Sequence, residues 1–219
     1  ACAPYRRLHL CSHNSGKYKH DKIDSGKAKH DLLAEVCMAA KYEGDLIKTH
    51  YTPYQQTNSD ANINICTVLA RSFADIGDIV RGRDLYLGNT HESAQRIILE
   101  KNLKKIFQQI HSEVTSTSGN NKEALQKRYK KDEDENYFQL REDWWTANRH
   151  TVWKAMTCSE QLSNASYFRT TCSDEQGGAQ ANKYCRCKGD KPGEDKPNTD
   201  PPTYFDYVPQ YLRWFEEWA

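Results

Sequence analysis

ICTVLARSFADIGDIVRGRDLYLG, residues 65–88, joins a cysteine to a helical run and then to a glycine-bounded basic turn. Ile65, Leu69, Phe73, Ile76 and Val80 recur at the spacing of one helix face, so the run is expected to bury that face. Gly77 and Gly82 punctuate its end, where a helix is expected to stop. A turn should follow through Gly88.

Working outward, the segments on both sides repeat the helical period. Leu33, Cys37, Ala40, Gly44 and Ile47 fall on one face of an upstream helix, and Thr52–Asn64, rich in Pro, Gln, Asn and Ser, reads as the loop between. Downstream, Leu99, Leu103, Ile106, Phe107 and Ile110 mark an amphipathic helix that the Ser/Thr/Gly/Asn stretch Thr115–Asn121 ends. A long helix is expected from near Lys122 to about Met156, interrupted around the acidic cluster Asp132–Glu135. In it Trp145, Val152 and Met156 share a face that Trp144 and Trp153 flank. Residues 158–202 lose periodicity and hold four of the eight cysteines and four of the seven prolines, which predicts a crosslinked, irregular excursion. A last helix starts near Tyr207, with Tyr211, Phe215 and Trp218 on its apolar face. Residues 1–24 read as loops with a short strand or hairpin. SGKYKHDKI at 15–23 returns as SGKAKHDLL at 25–33, too short a duplication for a solenoid. The fold class is therefore mainly α.

Bulk composition narrows the function classes. The 219 residues suffice for one large domain or two small ones, but the apolar fraction is 37% and mean hydropathy −0.94, so the core is thin and crosslinks would help it. No run approaches the roughly 18–20 apolar residues of a membrane span, and Ala1–Leu10 lacks the apolar region of a signal peptide. Net charge is only +1, so attraction to a polyanion has to come from local patches.

The cysteines are Cys2, Cys11, Cys37, Cys66, Cys158, Cys172, Cys185 and Cys187, all candidates for disulfides. Zinc sites use paired C-x₂₋₄-C or H-x₃₋₅-H spacing; here the only close pair is Cys185-x-Cys187, without a second half-site. Those two are too close to pair comfortably and should hold two different segments, but spacing alone leaves connectivity open. No catalytic constellation is present. His91-Glu92 begins like a zinc-protease helix, but Gln95 stands where the second ligand belongs. No phosphate-cradling glycine loop and no Gly-x-Ser-x-Gly elbow occur. Neither an enzyme, a metal nor a cofactor is expected. The tryptophans Trp144, Trp145, Trp153, Trp214 and Trp218 could stack on sugars or bases, but their helical stripes favour core packing.

Local basic segments are the remaining candidates. Residues 1–31 carry seven Lys/Arg against three Asp, and residues 96–131 carry nine against three Glu. The candidate cations are Arg6, Arg7, Lys17, Lys19, Lys22, Lys27 and Lys29, then Lys101, Lys104 and Lys105, then Lys127, Arg128, Lys130 and Lys131. A solvated polar face is the plainer reading of each, above all for Lys127–Lys131, which Asp132–Glu135 can neutralise. The functional reading is a surface for sulfated glycan. Nucleic acid would look alike electrostatically, but the cysteine-rich composition and the lack of a matching motif speak against it. Asn164-Ala165-Ser166 is a glycosylation sequon and hence an expected exposed site.

Four blocks in order, LAEVCMAAKYEGD at 33–45, the 65–88 stretch, LREDWWTANRHTVWKAMTC at 140–158 and DYVPQYLRWFEEWA at 206–219, resemble the Duffy-binding-like domain. The resemblance is nearest to the α type of the malaria parasite's erythrocyte membrane protein 1 adhesins. It implies an irregular, disulfide-linked first subdomain over 1–45, a helical-bundle second subdomain over 46–205 containing the cysteine-rich loop 158–202, and, at 206–219, a helix leading toward a third subdomain absent here. It also implies that Cys66 joins Cys185 or Cys187, and that Cys2 and Cys11, whose partners in related domains lie upstream, pair mutually or stay open. The implied function is host-receptor binding at the infected red-cell surface, in cytoadhesion and rosetting. The partner expected first is a heparan-sulfate-like glycan on the basic patches. The alternative is a receptor protein or blood-group sugar on variable loops. Antibodies are expected partners and nucleic acid is not. Membrane attachment would come only through other parts of the adhesin.

Overall fold

The computed structural model describes residues 2–8, 28–57, 64–116, 122–129, 136–173 and 178–218. The helices are α1 (Tyr5–Leu8), α2 (Ala28–Thr57), α3 (Ile65–Arg81), α4 (Thr90–Ser116), α5 (Lys122–Arg128), α6 (Phe138–Met156) and α7 (Gln210–Trp218). Short 3-10 turns lie at Glu160–Leu162 and Phe205–Tyr207. Pairing between extended segments among the described residues is limited to the isolated bridges Cys172 with Ala179 and Lys183 with Arg186.

The capping chemistry of α3 explains its bounds. The Asn64 side chain accepts hydrogen bonds from the Cys66 and Thr67 N–H groups, satisfying two donors that a helix start leaves open. Gly82 ends the helix at φ 71°, a left-handed conformation that costs a side-chain-bearing residue more. α3 is buried nearly all round: Leu69, Phe73 and Val80 on the anticipated face, but also Ser72, Asp75 and Asp78. A Cβ on Gly77 would stand 2.8 Å from the Trp145 ring, so this glycine lets α3 approach α6 closely.

α6 packs against α2 and α3, and α4 lies against α2, α5 and α6. The core is aromatic. Phe73 meets Trp145 at 5.1 Å and Trp153 edge-on at 5.2 Å, and Phe107 meets Trp144 edge-on at 6.2 Å between ring centroids. The buried residues of α4 are Leu99, Leu103, Ile106, Phe107 and Ile110, the five that periodicity selects.

Several expectations need correction. α2 continues to Thr57, so Thr52–Thr57 is helix, not loop; Pro53 removes only one donor from the helical ladder, and the remaining turns carry it. The most buried stripe of α2, Ala28, Leu32, Val36 and Ala40, shares Ala40 with the face read in the sequence and elsewhere lies one position before it, while Leu33, Cys37 and Ile47 pack half-buried against the core. Residues 5–8 form a helical turn where loops or a hairpin were expected; the rest of that early segment, with its duplication, lies outside the described residues. The stretch from Lys122 to Met156 is interrupted as expected, into α5 and α6, and Tyr137 in a left-handed conformation immediately precedes α6. On α7, Tyr211, Phe215 and Trp218 face outward at 53%, 69% and 54% exposure, while Gln210, Arg213 and Trp214 are buried. Among the described residues no helix is long and apolar enough to cross a membrane.

Disulfides tie the irregular 158–202 segment to the bundle. Cys66 on α3 bonds Cys185, closing a separation of 119 residues, and Cys172 bonds Cys187 across 15. Cys185 and Cys187 therefore hold different segments. Among the described residues Cys2, Cys37 and Cys158 are free thiols, and an open Cys2 is one of the two outcomes the resemblance allows. Burial pushes the half-buried Cys37 thiol up to about 11. Cys11 lies outside the described residues.

Candidate binding surface

The loop after Gly82 is anchored through Asp84. Its carboxylate accepts hydrogen bonds from Arg7 at 2.5 Å, Arg96 at 2.7 Å and Gln210 at 2.8 Å. Gln210 returns the contact by accepting the Leu85 N–H at 2.7 Å. With the backbone held inward at 84 and 85, Leu85 and Leu87 project into solvent, at 58% and 78% exposure.

The start of α4 is equally fixed. Asn89 and Glu92 form a reciprocal cap: the Glu92 N–H donates to the Asn89 side chain at 3.0 Å and the Asn89 N–H donates to the Glu92 carboxylate at 2.8 Å. The Tyr86 hydroxyl donates to the same carboxylate at 2.8 Å. The Arg7 and Arg96 guanidinium groups lie 4.7 Å and 5.4 Å from the Tyr86 ring centroid. Such stacking favours the cation while the ring keeps its shape.

Between this loop and α4 runs a groove in two parts. The inner part is a cavity of about 240 Å³ whose lining includes Arg7, Asp84, Arg96, Glu100, Asn136 and Phe138. The outer part, about 450 Å³, is lined by Leu87, Ser93, Arg96, Ile97, Glu100, Lys101 and Lys104. Arg96 and Glu100 belong to both. Ile97 is exposed at 67%. The result is an apolar shelf with cations along it. Sequence reading gave no sign of Leu85, Leu87 or Ile97 as surface residues. The signal available was that Ile97 and Ile98 lie off the stripe formed by Leu99, Leu103, Ile106 and Ile110.

Among the described residues the basic candidates do not converge on one surface. Arg6 is held at 2.8 Å from buried Asp75 and at 2.9 Å from Glu217, and Arg7 is buried against Asp84. These two expected surface cations are internal struts that fasten α1 to α3, to α7 and to the loop. Arg128 makes a two-point contact with Asp143, at 2.5 Å and 2.7 Å, and the Tyr129 hydroxyl donates to the same carboxylate. Lys104 donates to the Asn136 side chain at 2.8 Å. Lys29, Lys101, Lys105 and Lys127 are exposed, on three different helices. Lys17, Lys19, Lys22, Lys27, Lys130 and Lys131 lie outside the described residues. Of the five tryptophans, four are buried in the expected way and Trp218 is not; its indole N–H donates to the Cys2 carbonyl at 2.9 Å. Asn164 is exposed, as its sequon requires.

Behind the groove lies a buried ionic network. Arg213 bridges Asp75 at 2.7 Å and Asp78 at 2.5 Å, and Arg81 holds Asp78 at 2.8 Å. Asp206 accepts from Trp145 at 2.9 Å and twice from Arg149 at 2.8 Å. Burial opposes the charge on Asp75, but Arg6 and Arg213 outweigh it and hold its carboxyl below the usual range. For Asp78 burial wins over Arg213 and Arg81, and the carboxyl is pushed up to about 6. These acids are fully engaged within the fold, so this cluster is structural.

A charged but internally matched interior, an anchored loop and an exposed mixed groove define a helical binding module. The chain belongs to the Duffy binding domain family, whose model matches residues 1–213. It is similar to the NTS-DBL1α-1 domain of Plasmodium falciparum membrane protein 1 (PfEMP1) from the varO strain. The TM-score is 0.69 at 40% identity, over 100% of this chain and 43% of that one. An ICAM-1-binding PfEMP1 DBLβ domain matches with a TM-score of 0.66 at 34% identity, over 99% of this chain and 42% of that one. A PfEMP1 DBLβ domain bound to human ICAM-1 matches with a TM-score of 0.64 at 29% identity, over 97% of this chain and 38% of that one. The chain thus spans about two fifths of these three solved structures. No curated protein matches it.

Proposed function

We propose that this chain is a host-receptor-binding module of a parasite adhesin displayed outside the infected red cell, and that its ligand is a host protein. The observation that carries this reading is the likeness of nearly all of this chain to part of PfEMP1 domains, one of which is bound to human ICAM-1. The surface supports a protein over a glycan: Leu85, Leu87 and Ile97 offer apolar area that a sulfated chain has no groups to cover. Among the described candidates Arg6, Arg7 and Arg128 are paired internally, and the exposed lysines divide among α2, α4 and α5, with only those of α4 beside the apolar groove. The same reading takes α7 as the lead into a third helical subdomain, whose packing would cover Tyr211, Phe215 and Trp218.

A second reading, heparan-sulfate-like glycan, keeps one specific support in the density of Lys17, Lys19, Lys22, Lys27 and Lys29 along the sequence. The test is a biosensor panel of purified host surface proteins, ICAM-1 among them, run beside immobilised heparin across a salt series. Saturable binding to a protein that persists at high salt supports the proposal. Retention on heparin alone, lost as salt screens exposed charge over a Debye length of about 8–10 Å, overturns it.

A further inference from the structure

We propose that the groove between residues 82–88 and α4 is the docking site for a partner-protein segment that carries apolar side chains beside carboxylates. This rests on the protein-receptor reading above and names the site and the chemistry it would take.

The apolar half of the argument is exposure. Leu87 and Ile97 both line the outer groove, at 78% and 67% exposure, and Leu85 stands beside Leu87 in the chain. Exposed apolar side chains gathered around a concave surface mark interaction sites more than scattered ones do. Nothing in folding requires these positions to be apolar, because they cover no part of the core. Area recovered from water on binding would be supplied by these side chains.

The second half is charge. The two parts of the groove are lined by four cations, Arg7, Arg96, Lys101 and Lys104, against two carboxylates, Asp84 and Glu100. Both carboxylates are already engaged. Glu100 takes a two-point contact from Arg141 at 2.7 Å and 2.9 Å, and Asp84 takes Arg7 and Arg96. Among the described residues Lys104 meets a neutral acceptor, Asn136, and no carboxylate. Lys101 is exposed and has no partner among the described residues. Among the described residues the surplus at the groove is therefore positive and calls for an acidic occupant. Arg7 adds one donor, its Nε–H, left without a partner among the described residues.

The third consideration is rigidity. Asp84 and the Asn89–Glu92 cap fix the two walls before any ligand arrives, so little ordering is lost on binding. The surface is preformed, and apolar anchors flanked by cations define its preference.

The test uses the whole chain and a displayed random-peptide library. Selection on the wild-type chain should enrich sequences that combine Leu, Ile or Phe with Asp or Glu. The enriched peptides should bind the double variant Leu87→Ser, Ile97→Ser about tenfold or more weakly, with helical circular dichroism unchanged. Lys101→Glu should weaken the same peptides and favour versions in which their acids are replaced by lysine. No enrichment, enrichment without that composition, or equal binding to the double variant overturns the proposal. So does sedimentation showing self-association that Leu87→Ser abolishes, because the occupant would then be a second copy of this chain. Host proteins that bind wild type and double variant equally in the receptor panel sink the groove but leave the receptor reading standing. A panel with no protein binder sinks that reading instead.

Discussion

Around the middle of α3, Asp75, Asp78 and Arg81 lie inside the protein together with Arg149, Asp206 and Arg213; a little further along the chain, Leu85, Leu87 and Ile97 lie outside it. The two regions reverse the usual placement of charged and apolar side chains, and they do so for opposite reasons. In the interior each charge has oppositely charged partners within salt-bridge distance, enough to offset desolvation at Asp75 though not at Asp78, and the network joins α1, α3, α6 and α7. A buried pair is weak evidence of net stabilisation, but removing one member strands the other. On the surface the apolar side chains join nothing. Buried charge and exposed apolar surface are both informative because neither is what the hydrophobic effect alone produces. The first region holds the fold; the second is free to meet a partner.

The contrast can be broken most forcefully at the covalent tie of the first region. Cys66→Ser with Cys185→Ser should lower stability by about 4–5 kcal/mol in the chain-entropy model, because it opens the longer loop. Cys172→Ser with Cys187→Ser opens the 15-residue separation and should cost less, about 3 kcal/mol. Urea denaturation under non-reducing conditions measures both. Equal losses would show that loop length does not set the contribution here.

Asp206→Ala comes next. It leaves Arg149 and the Trp145 indole N–H buried without their acceptor, and the expected loss is about 3–5 kcal/mol. The same denaturation reads it, with tryptophan fluorescence reporting the Trp145 environment. A loss below about 0.5 kcal/mol, the ordinary surface range, would mean the network relaxes or admits water, and the division between the two regions would fail.

A smaller effect separates the two acids of α3 by pH. Burial raises the Asp78 carboxyl to about 6, above its unfolded value. Its contribution is therefore fully present below the unfolded value of about 4 and is lost as pH rises through about 6. Asp78→Asn, which imitates the protonated acid, should become more stable relative to wild type between those two values. Asp75 is shifted the other way, by Arg6 and Arg213 against burial, so its contribution is complete at neutral pH and is lost only in stronger acid. Denaturation midpoints across pH for wild type and Asp78→Asn test the sign. A difference that falls with rising pH would show that Arg81 and Arg213, not desolvation, govern Asp78.

The sequence made the fold legible where periodicity and packing act together. Leu99, Leu103, Ile106, Phe107 and Ile110 form an unambiguous stripe, and all are buried. α2 is less legible because its stripe contains alanines and cysteine, so neighbouring faces score alike and the most buried one, apart from Ala40, lies one position before the face read in the sequence. Composition misled at Thr52–Thr57, where proline and polar residues suggest a loop that the helix overrides. On α7 periodicity found the apolar face correctly but could not say which side the bundle takes. That side is Gln210, Arg213 and Trp214, chosen because Arg213 reaches Asp75 and Asp78. The same blindness hid the groove. A one-dimensional count of charges marks Arg6 and Arg7 as surface cations, because it cannot see Asp75, Glu217 and Asp84 arriving from far along the chain. Leu87 and Ile97 look like ordinary apolar residues until their exposure is known.

The smallest expected effect tests the second region directly. Leu87→Ser with Ile97→Ser removes two large apolar side chains, a change that in the core would cost several kcal/mol. Here both project from walls held by other residues: Asp84 and Gln210 fix the loop backbone, and Asn89 with Glu92 fixes the start of α4. Neither side chain leaves a cavity when shortened, and serine exposes no unsatisfied buried group. The double variant should match wild type within about 0.5 kcal/mol, with its urea slope unchanged. A loss of about 2 kcal/mol or more, the cost of a large-to-small change in a packed core, would place Leu87 and Ile97 in the folding core after all. The exposed shelf would then be a structural element, and the contrast drawn between interior charge and surface groove would collapse.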